Sequence, residues 1–195
     1  MIDLPDGIRL VLASASPRRS DLLASVGLVF DVVPADIDES VRADGTPAAY
    51  VSRLSREKAA AVAARVGADA LVVAADTTVD IGGQILEKPA DVDDARRMLW
   101  LLSGTTHLVH TGVTVLRADG ACPSRSVVVE TAVQFVPLSE RMVEGYIATG
   151  EPFDKAGAYA IQGAGGALVQ RIEGSVTNVI GLPLAETLEL LSRGT

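Results

Sequence analysis

A chain of 195 residues, 48% hydrophobic and 22% charged, carries enough apolar side chain for one compact domain with a sizeable core and is not disordered. Its formal net charge of −8 sets it against long nucleic acids and anionic membrane surfaces, while a small anion held in a local basic pocket stays allowed. The single cysteine, Cys122 in the turn-like "DGACPS", excludes an internal disulfide and fits a reducing cytoplasm.

The opening "MIDLPDG" holds acids and a proline where a secretory leader needs basic residues and then an apolar run, so no leader is expected. "IRLVLA" alternates as a buried strand does. "LASASPRRSDLL", residues 12–23, then opens a helix in which Leu22, Leu23 and Val26 recur until Gly27 stops them. Ser16 is the expected N-cap and Pro17 suits the first helical position, where its missing N–H would have had no partner. The free N–H groups of that end, with Arg18 and Arg19 added, suit a phosphate. A capped helix with two solvated arginines fits the same twelve residues equally.

"LVFDVVPA" reads as a second strand, followed by the acidic loop "DIDES". Thr46 and Pro47 open a long helix through "AAYVSRLSREKAAAVAARV", closed by Gly67. Lys58 lies in this helix, where the ordinary reading is a solvated lysine whose stem covers its neighbours. The Ala/Val-rich stretch 59–75 is broken by Arg65, Gly67 and Asp69 and is no membrane span. "ALVVAAD" is the short apolar run of a strand covered on both faces, with Asp76 expected at its C-terminal end, where open α/β sheets bind ligands. Capping of the next turn is the other role open to Asp76.

"VDIGGQIL" predicts a hairpin around Gly82 and Gly83, and "LEKP" holds Lys88 in a rigid, extended approach to Pro89. "DVDDARRMLWLLSG" is a helix with acids in its first turn, and two strands, 106–117 and 125–136, pair across "ADGA". His107 and His110 stand three apart on the first of them, so their side chains point to opposite faces and cannot share a metal. Ser139 starts another helix. "EPFDKAGAYAIQGAGGAL" is a glycine-rich loop region holding Lys155 and Gln162, where backbone can approach a ligand closely, and "LPLAETLELLS" is the closing helix. The sum is an α/β chain with a mixed sheet and flanking helices, organised as a single domain over residues 1–195. Neither a G-x-S-x-G elbow nor a G-x-x-x-x-G-K-[ST] loop occurs. Glu39 and Asp76, hard oxygen ligands without thiols or paired imidazoles, would suit Mg²⁺ or Mn²⁺ held partly by substrate phosphates.

In chain order, "LASASPRRSDLL", "DIDES", "REKAAA", "AADTTV", "LEKP", "LSGTTHLVHTGV", "DKAGAYAIQGAGG" and "NVIGLPLAETLELL" together resemble the Maf family of nucleoside triphosphate pyrophosphatases over nearly the whole chain. The resemblance implies two lobes around a cleft, similar to the inosine triphosphate pyrophosphatase fold, with a homodimer and a divalent metal. It places the family's functional positions on Ser14, Arg18, Arg19, Glu39, Lys58, Asp76, Lys88 and Gln162. Asp76 is then the expected proton acceptor, acting as a direct base or as a metal ligand that orients water. Arg18, Thr77 and Gln162 together resemble the branch acting on thymidine and uridine triphosphates rather than on 7-methylguanosine triphosphate. The implied activity is hydrolysis of a triphosphate to the monophosphate and pyrophosphate, a house-cleaning role in the cytoplasm with no nucleic-acid or membrane partner. The other reading is a nucleotide-responsive regulator of cell division acting by binding. Asp76, Glu39 and Lys88 speak against it, because a pure sensor has no use for a water-activating carboxylate.

Overall fold

The computed structural model describes residues 7–40 and 45–193; the expectation about a leader, and positions 42–44 of the "RADGT" stretch that matches no motif, lie outside them. Seven strands form one mixed sheet in the order β2-β1-β3-β5-β6-β7, with β4 pairing β3, as the sequence predicts for the class. The chain divides into two compact units. One holds the residues up to Asp76, Thr111–Val129 and the segment from Gly181 onward, and the other holds Thr77–His110 and Glu130–Ile180. Strands β3 (Ala70–Ile81), β5 (Thr106–Arg117) and β6 (Arg125–Phe135) each contribute to both.

In the first unit, β1 (Arg9–Leu12) pairs in parallel with β2 (Asp31–Val32) and with the start of β3, in the register Leu10↔Leu71 and Leu12↔Val73. Side chains alternate across a strand, so this apolar run fills two separate cores. Leu10, Leu12, Leu71, Val73 and Ala75 pack with Leu23 of α1 (Pro17–Ser25) and Leu191 of α6 (Leu184–Arg193). Val11, Ala13, Ala70, Val72 and Ala74 pack with Ala59 and Val62 of α2 (Pro47–Ala63) on the other face. Helices on both sides explain why the strands read as continuous hydrophobic runs. At the start of α2, the Thr46 side chain accepts a hydrogen bond from the Ala49 amide, the expected cap.

Two expectations need correction here. β2 covers two residues of "LVFDVVPA" instead of the whole run: Val29 is 90% exposed, Leu28 and Phe30 turn onto the α1/α6 core, and Pro34 has no N–H to extend an edge ladder. Ser16 stands at the N-cap of α1 with extended backbone, yet its side chain makes no capping bond.

In the second unit, β3 turns back into β4 (Gln84–Leu86) in the register Ile81↔Gln84, with Gly82 and Gly83 both at positive φ, as the "GG" hairpin predicts. α3 (Val92–Leu102) is capped by Asp91, and α4 (Glu140–Ile147) by Ser139. The glycine-rich stretch forms three short 3₁₀ turns, at Glu151–Asp154, Ala156–Ala158 and Gly163–Leu168, before β7 (Val169–Glu173), which pairs antiparallel with β6. α5 (Val176–Ile180) has no counterpart in the sequence reading, being too short for periodicity to mark it. Phe135, Tyr159, Met98, Leu99 and Val143 centre this unit's core. Buried His107 shares a hydrogen bond of 2.8 Å with Tyr159 Oη, whereas His110 lies 3.5 Å from Asp80 and 3.6 Å from Glu130. Their separate neighbours follow from the alternation. Among the described residues no helix is long and apolar enough to cross a membrane.

Candidate active site

The turn after β1 is organised by Ser14. Its buried Oγ accepts the Ser16 amide at 3.1 Å and Nη1 of Arg19 at 3.2 Å. Arg19 also donates from Nε to the Gly181 carbonyl at 2.8 Å, so the head of α1 is tied to the turn before α6. Burial lowers the Arg19 guanidinium from its ordinary value, Asp76 opposes that fall, and Arg18 adds to it. The hydroxyl expected to cap the helix therefore does less than the one two residues earlier, which aims an arginine.

Asp76 does not end its strand, because β3 continues to Ile81. The last residue of β3 paired with β1 is Val73, so Asp76 lies three positions past the end of parallel pairing, buried within the strand. By alternation its side chain follows Ala70, Val72 and Ala74 onto the α2 face. There Lys58 meets it. Lys58 Nζ lies 2.6 Å from Asp76 Oδ1 and 2.8 Å from Glu39 Oε1, with the lysine and aspartate both buried. The solvated-lysine reading is thereby overturned: a helix face that also presents Leu54 and Ala59 carries Lys58 inward, and an ammonium tolerates such burial only when paired. The acidic loop is held over it from α2, with Tyr50 Oη donating to the Glu39 carbonyl at 2.9 Å and Arg53 to the Ser40 carbonyl at 2.8 Å. Residues 50, 54 and 58 recur every fourth position, so one helix face supplies both the tether and the cation.

Burial pushes the Asp76 carboxyl above the usual carboxylate range; Lys58 and Arg19 pull it back and Glu39 adds to the rise. A buried carboxylate with a raised proton affinity is what a general base requires. Glu39 and Asp76 both contact the Lys58 ammonium, which brings two hard carboxylates side by side. Among the described residues no set of three His, Cys, Asp or Glu side chains gathers to hold a metal, so an ion bound by these two carboxylates beside the ammonium would take its other ligands from phosphate and water, as Mg²⁺ commonly does.

Ser14, Arg19, Glu39, Lys58 and Asp76 are thus brought together in the first unit, with Arg18 half-buried beside Arg19. The remaining expected positions belong to the second unit. Thr77 is half-buried on β3, Lys88 is exposed just before Pro89, and Gln162 is exposed immediately before the third 3₁₀ turn. Lys155, singled out among the glycines, is occupied locally by the Glu151 carbonyl and the Asp154 carboxylate. Glu151 itself escaped the sequence reading, although an acid followed by proline at the start of a glycine-rich loop is a visible signal.

A family model described as Maf-like protein matches residues 9–194. A dTTP/UTP pyrophosphatase of Anaeromyxobacter sp. (strain Fw109-5) is 56% identical over 187 residues, 95% of this chain and 89% of that protein. One from Vibrio cholerae serotype O1 is 54% identical over 185 residues, 95% and 97% of the two chains. Among solved structures, a nucleoside-triphosphatase / dITP/XTP pyrophosphatase from Mycobacterium abscessus gives a TM-score of 0.41 at 13% identity over 67% of this chain and 76% of that one, a distant likeness. With a family model spanning all but the ends of the chain and relatives above half identity, this protein belongs to the Maf family.

Proposed function

We propose that the protein hydrolyses nucleoside triphosphates between the α- and β-phosphates, with dTTP and UTP as preferred substrates. The observation that carries this reading is the buried Asp76 carboxylate on the Lys58 ammonium, within the electrostatic reach of Arg19. Asp76 takes a proton from water as the water oxygen bonds to the α-phosphorus; the bond from that phosphorus to the bridging oxygen breaks, and its electron pair leaves with pyrophosphate. Such a transfer demands positioning and cations more than covalent help. Arg18, Arg19 and Lys58 supply cations for a substrate of about four negative charges, stabilising the leaving group more than the ground state as charge moves onto it, and Lys88 is the further cation expected of the family.

Glu39 and Asp76 would hold a Mg²⁺ or Mn²⁺, which when bound neutralises phosphate charge and acidifies the attacking water. The pyrimidine preference is supported by the names of the relatives and by Arg18, Thr77 and Gln162 occurring together, since the Gln162 amide donates and accepts at once, as a uracil or thymine imide edge requires. A regulator that merely binds nucleotide is disfavoured, having no need of a buried base. The same reading makes the protein a cytoplasmic homodimer.

A screen of natural and modified triphosphates for pyrophosphate release, with and without Mg²⁺ or Mn²⁺, tests the proposal. dTTP and UTP should lead, the metal should be required, and CTP, equal in shape but with an amino group for an imide oxygen, should lag by at least about tenfold. A preference for 7-methylguanosine or inosine triphosphate would overturn the assigned branch, and no release from any triphosphate would overturn the activity.

A further inference from the structure

An exposed amide selects a base only if the backbone beneath it is held, and exposed Gln162 stands immediately before the turn Gly163–Leu168. The structure shows what holds it. Glu151 Oε1 accepts the Ala164 amide at 3.0 Å and Oε2 accepts the Gly165 amide at 3.3 Å. The buried Tyr146 hydroxyl accepts the Ala160 amide at 3.1 Å, and it helps to lower the Glu151 carboxyl from its ordinary value. Backbone on both sides of Gln162, two residues before it and two and three after, therefore ends on one Tyr–Glu pair.

The loop is closed tightly around that pair. Gly163 sits at φ +72, and a Cβ on it would lie 2.5 Å from Glu151 Oε1; a Cβ on Gly165 would lie 2.2 Å from the Ala160 carbonyl and 2.7 Å from Tyr146 Oη. Only glycine fits at either place. The other end of the clasp is anchored as well, since Lys155 Nζ donates to the Glu151 carbonyl at 2.8 Å and Tyr146 belongs to α4 in the unit's core. The two amides also hold the Glu151 carboxyl below its ordinary value, so it is ionised and its charge strengthens both bonds.

We propose that Glu151 and Tyr146 are a positioning pair that presents Gln162 to the nucleobase and so sets the pyrimidine selectivity, without touching substrate themselves. This rests on the reading of the chain as a pyrimidine triphosphate pyrophosphatase. Two of the carboxylate's acceptor sites and one hydroxyl carry the whole device, so Glu151→Gln and Tyr146→Phe disable it with little change of shape.

Steady-state hydrolysis of UTP and CTP by the full chain, in the wild type, both variants, Gln162→Ala and each double variant, decides the matter. Glu151→Gln and Tyr146→Phe should raise KM for UTP about tenfold with kcat within about threefold. They should cut the UTP-over-CTP preference as far as Gln162→Ala does, and add nothing to Gln162→Ala in the double variants, because all act through the same amide. Amide hydrogen exchange at Ala160, Ala164 and Gly165 should quicken in both variants. Unchanged selectivity in folded variants, additive losses, or unchanged exchange each overturn the proposal, and a merely structural pair would lower Tm while leaving the base preference alone. A wild-type chain that hydrolyses neither UTP nor dTTP overturns the substrate reading and the selectivity role with it, an outcome distinct from hydrolysis with undisturbed selectivity.

Discussion

Asp76 illustrates how surroundings change the chemistry of one side chain. A carboxylate in water has a pKa near 4 and little appetite for protons; withdrawn among Ala74, Lys58 and the sheet, the same group is raised by burial and steadied by an ammonium at 2.6 Å. As the proposed base it must be ionised to work, so kcat/KM should fall as pH drops through this raised pKa. The acid limb of the pH–rate profile should then lie above pH ~4. Asp76→Asn keeps the shape and the contact to Lys58 but cannot accept the proton, and kcat should fall by ~10²-fold or more with the fold retained. Near-normal turnover in a folded, metal-saturated variant, or an acid limb at or below the ordinary carboxylate range, would sink this role. The identity of the acid was legible in "AADTT", but its partner was not: periodicity marks Lys58 as one more helix residue, and only the packing of α2 against β3 turns it inward.

At the scale of elements, β5 carries a titrating group into the second unit's core. His107 is 1% exposed, edge-on to Phe135 and Tyr159, and burial lowers its pKa to about 4 from the ordinary 6.5. Below pH 6.5 the unfolded chain binds a proton that the folded chain refuses until about pH 4. The stability this histidine permits is thus fully present above pH 6.5 and is lost as pH falls toward 4, up to about 3 kcal/mol. His107→Gln keeps a polar partner for Tyr159 and removes the titration. Urea unfolding between pH 7 and 4.5 should show the wild type losing about 2 kcal/mol more stability than the variant; parallel pH dependences would refute the assignment. Strand alternation predicted that His107 and His110 part company, while the ring that His107 meets comes from residue 159 and no local pattern names it.

Over the whole molecule, charge is divided between a surface that is negative overall and a few inward-facing cations. The net charge is −8, yet Lys58 is buried and Arg19 half-buried beside Asp76. A net negative charge repels a long polyanion more strongly than a small triphosphate. At saturating metal, an excess of single-stranded oligonucleotide should leave formation of UMP from UTP unchanged, while inorganic triphosphate should compete. Inhibition by micromolar oligonucleotide would contradict this picture of the surface.

The local order of the chain was determined by the sequence alone. Apolar alternation marks β1, a continuous apolar run marks β3, the dipeptide at Gly82 and Gly83 marks a hairpin, Thr46 and Ser139 mark helix starts, and motifs in chain order mark the Maf family. These signals are short-range: each depends on the backbone preferences and side-chain period of a few adjacent residues, which sequence displays directly. Tertiary structure decided what those elements do to one another. It cut β2 to two residues because an edge run whose side chains turn to a core elsewhere cannot also extend a ladder. It moved the organising hydroxyl from Ser16 to Ser14, carried Lys58 18 residues along the chain to Asp76, and bound the backbone around Gln162 to Glu151 and Tyr146. Such contacts join residues far apart in sequence, and their energies depend on burial and distance, quantities that exist only once helices and strands have packed.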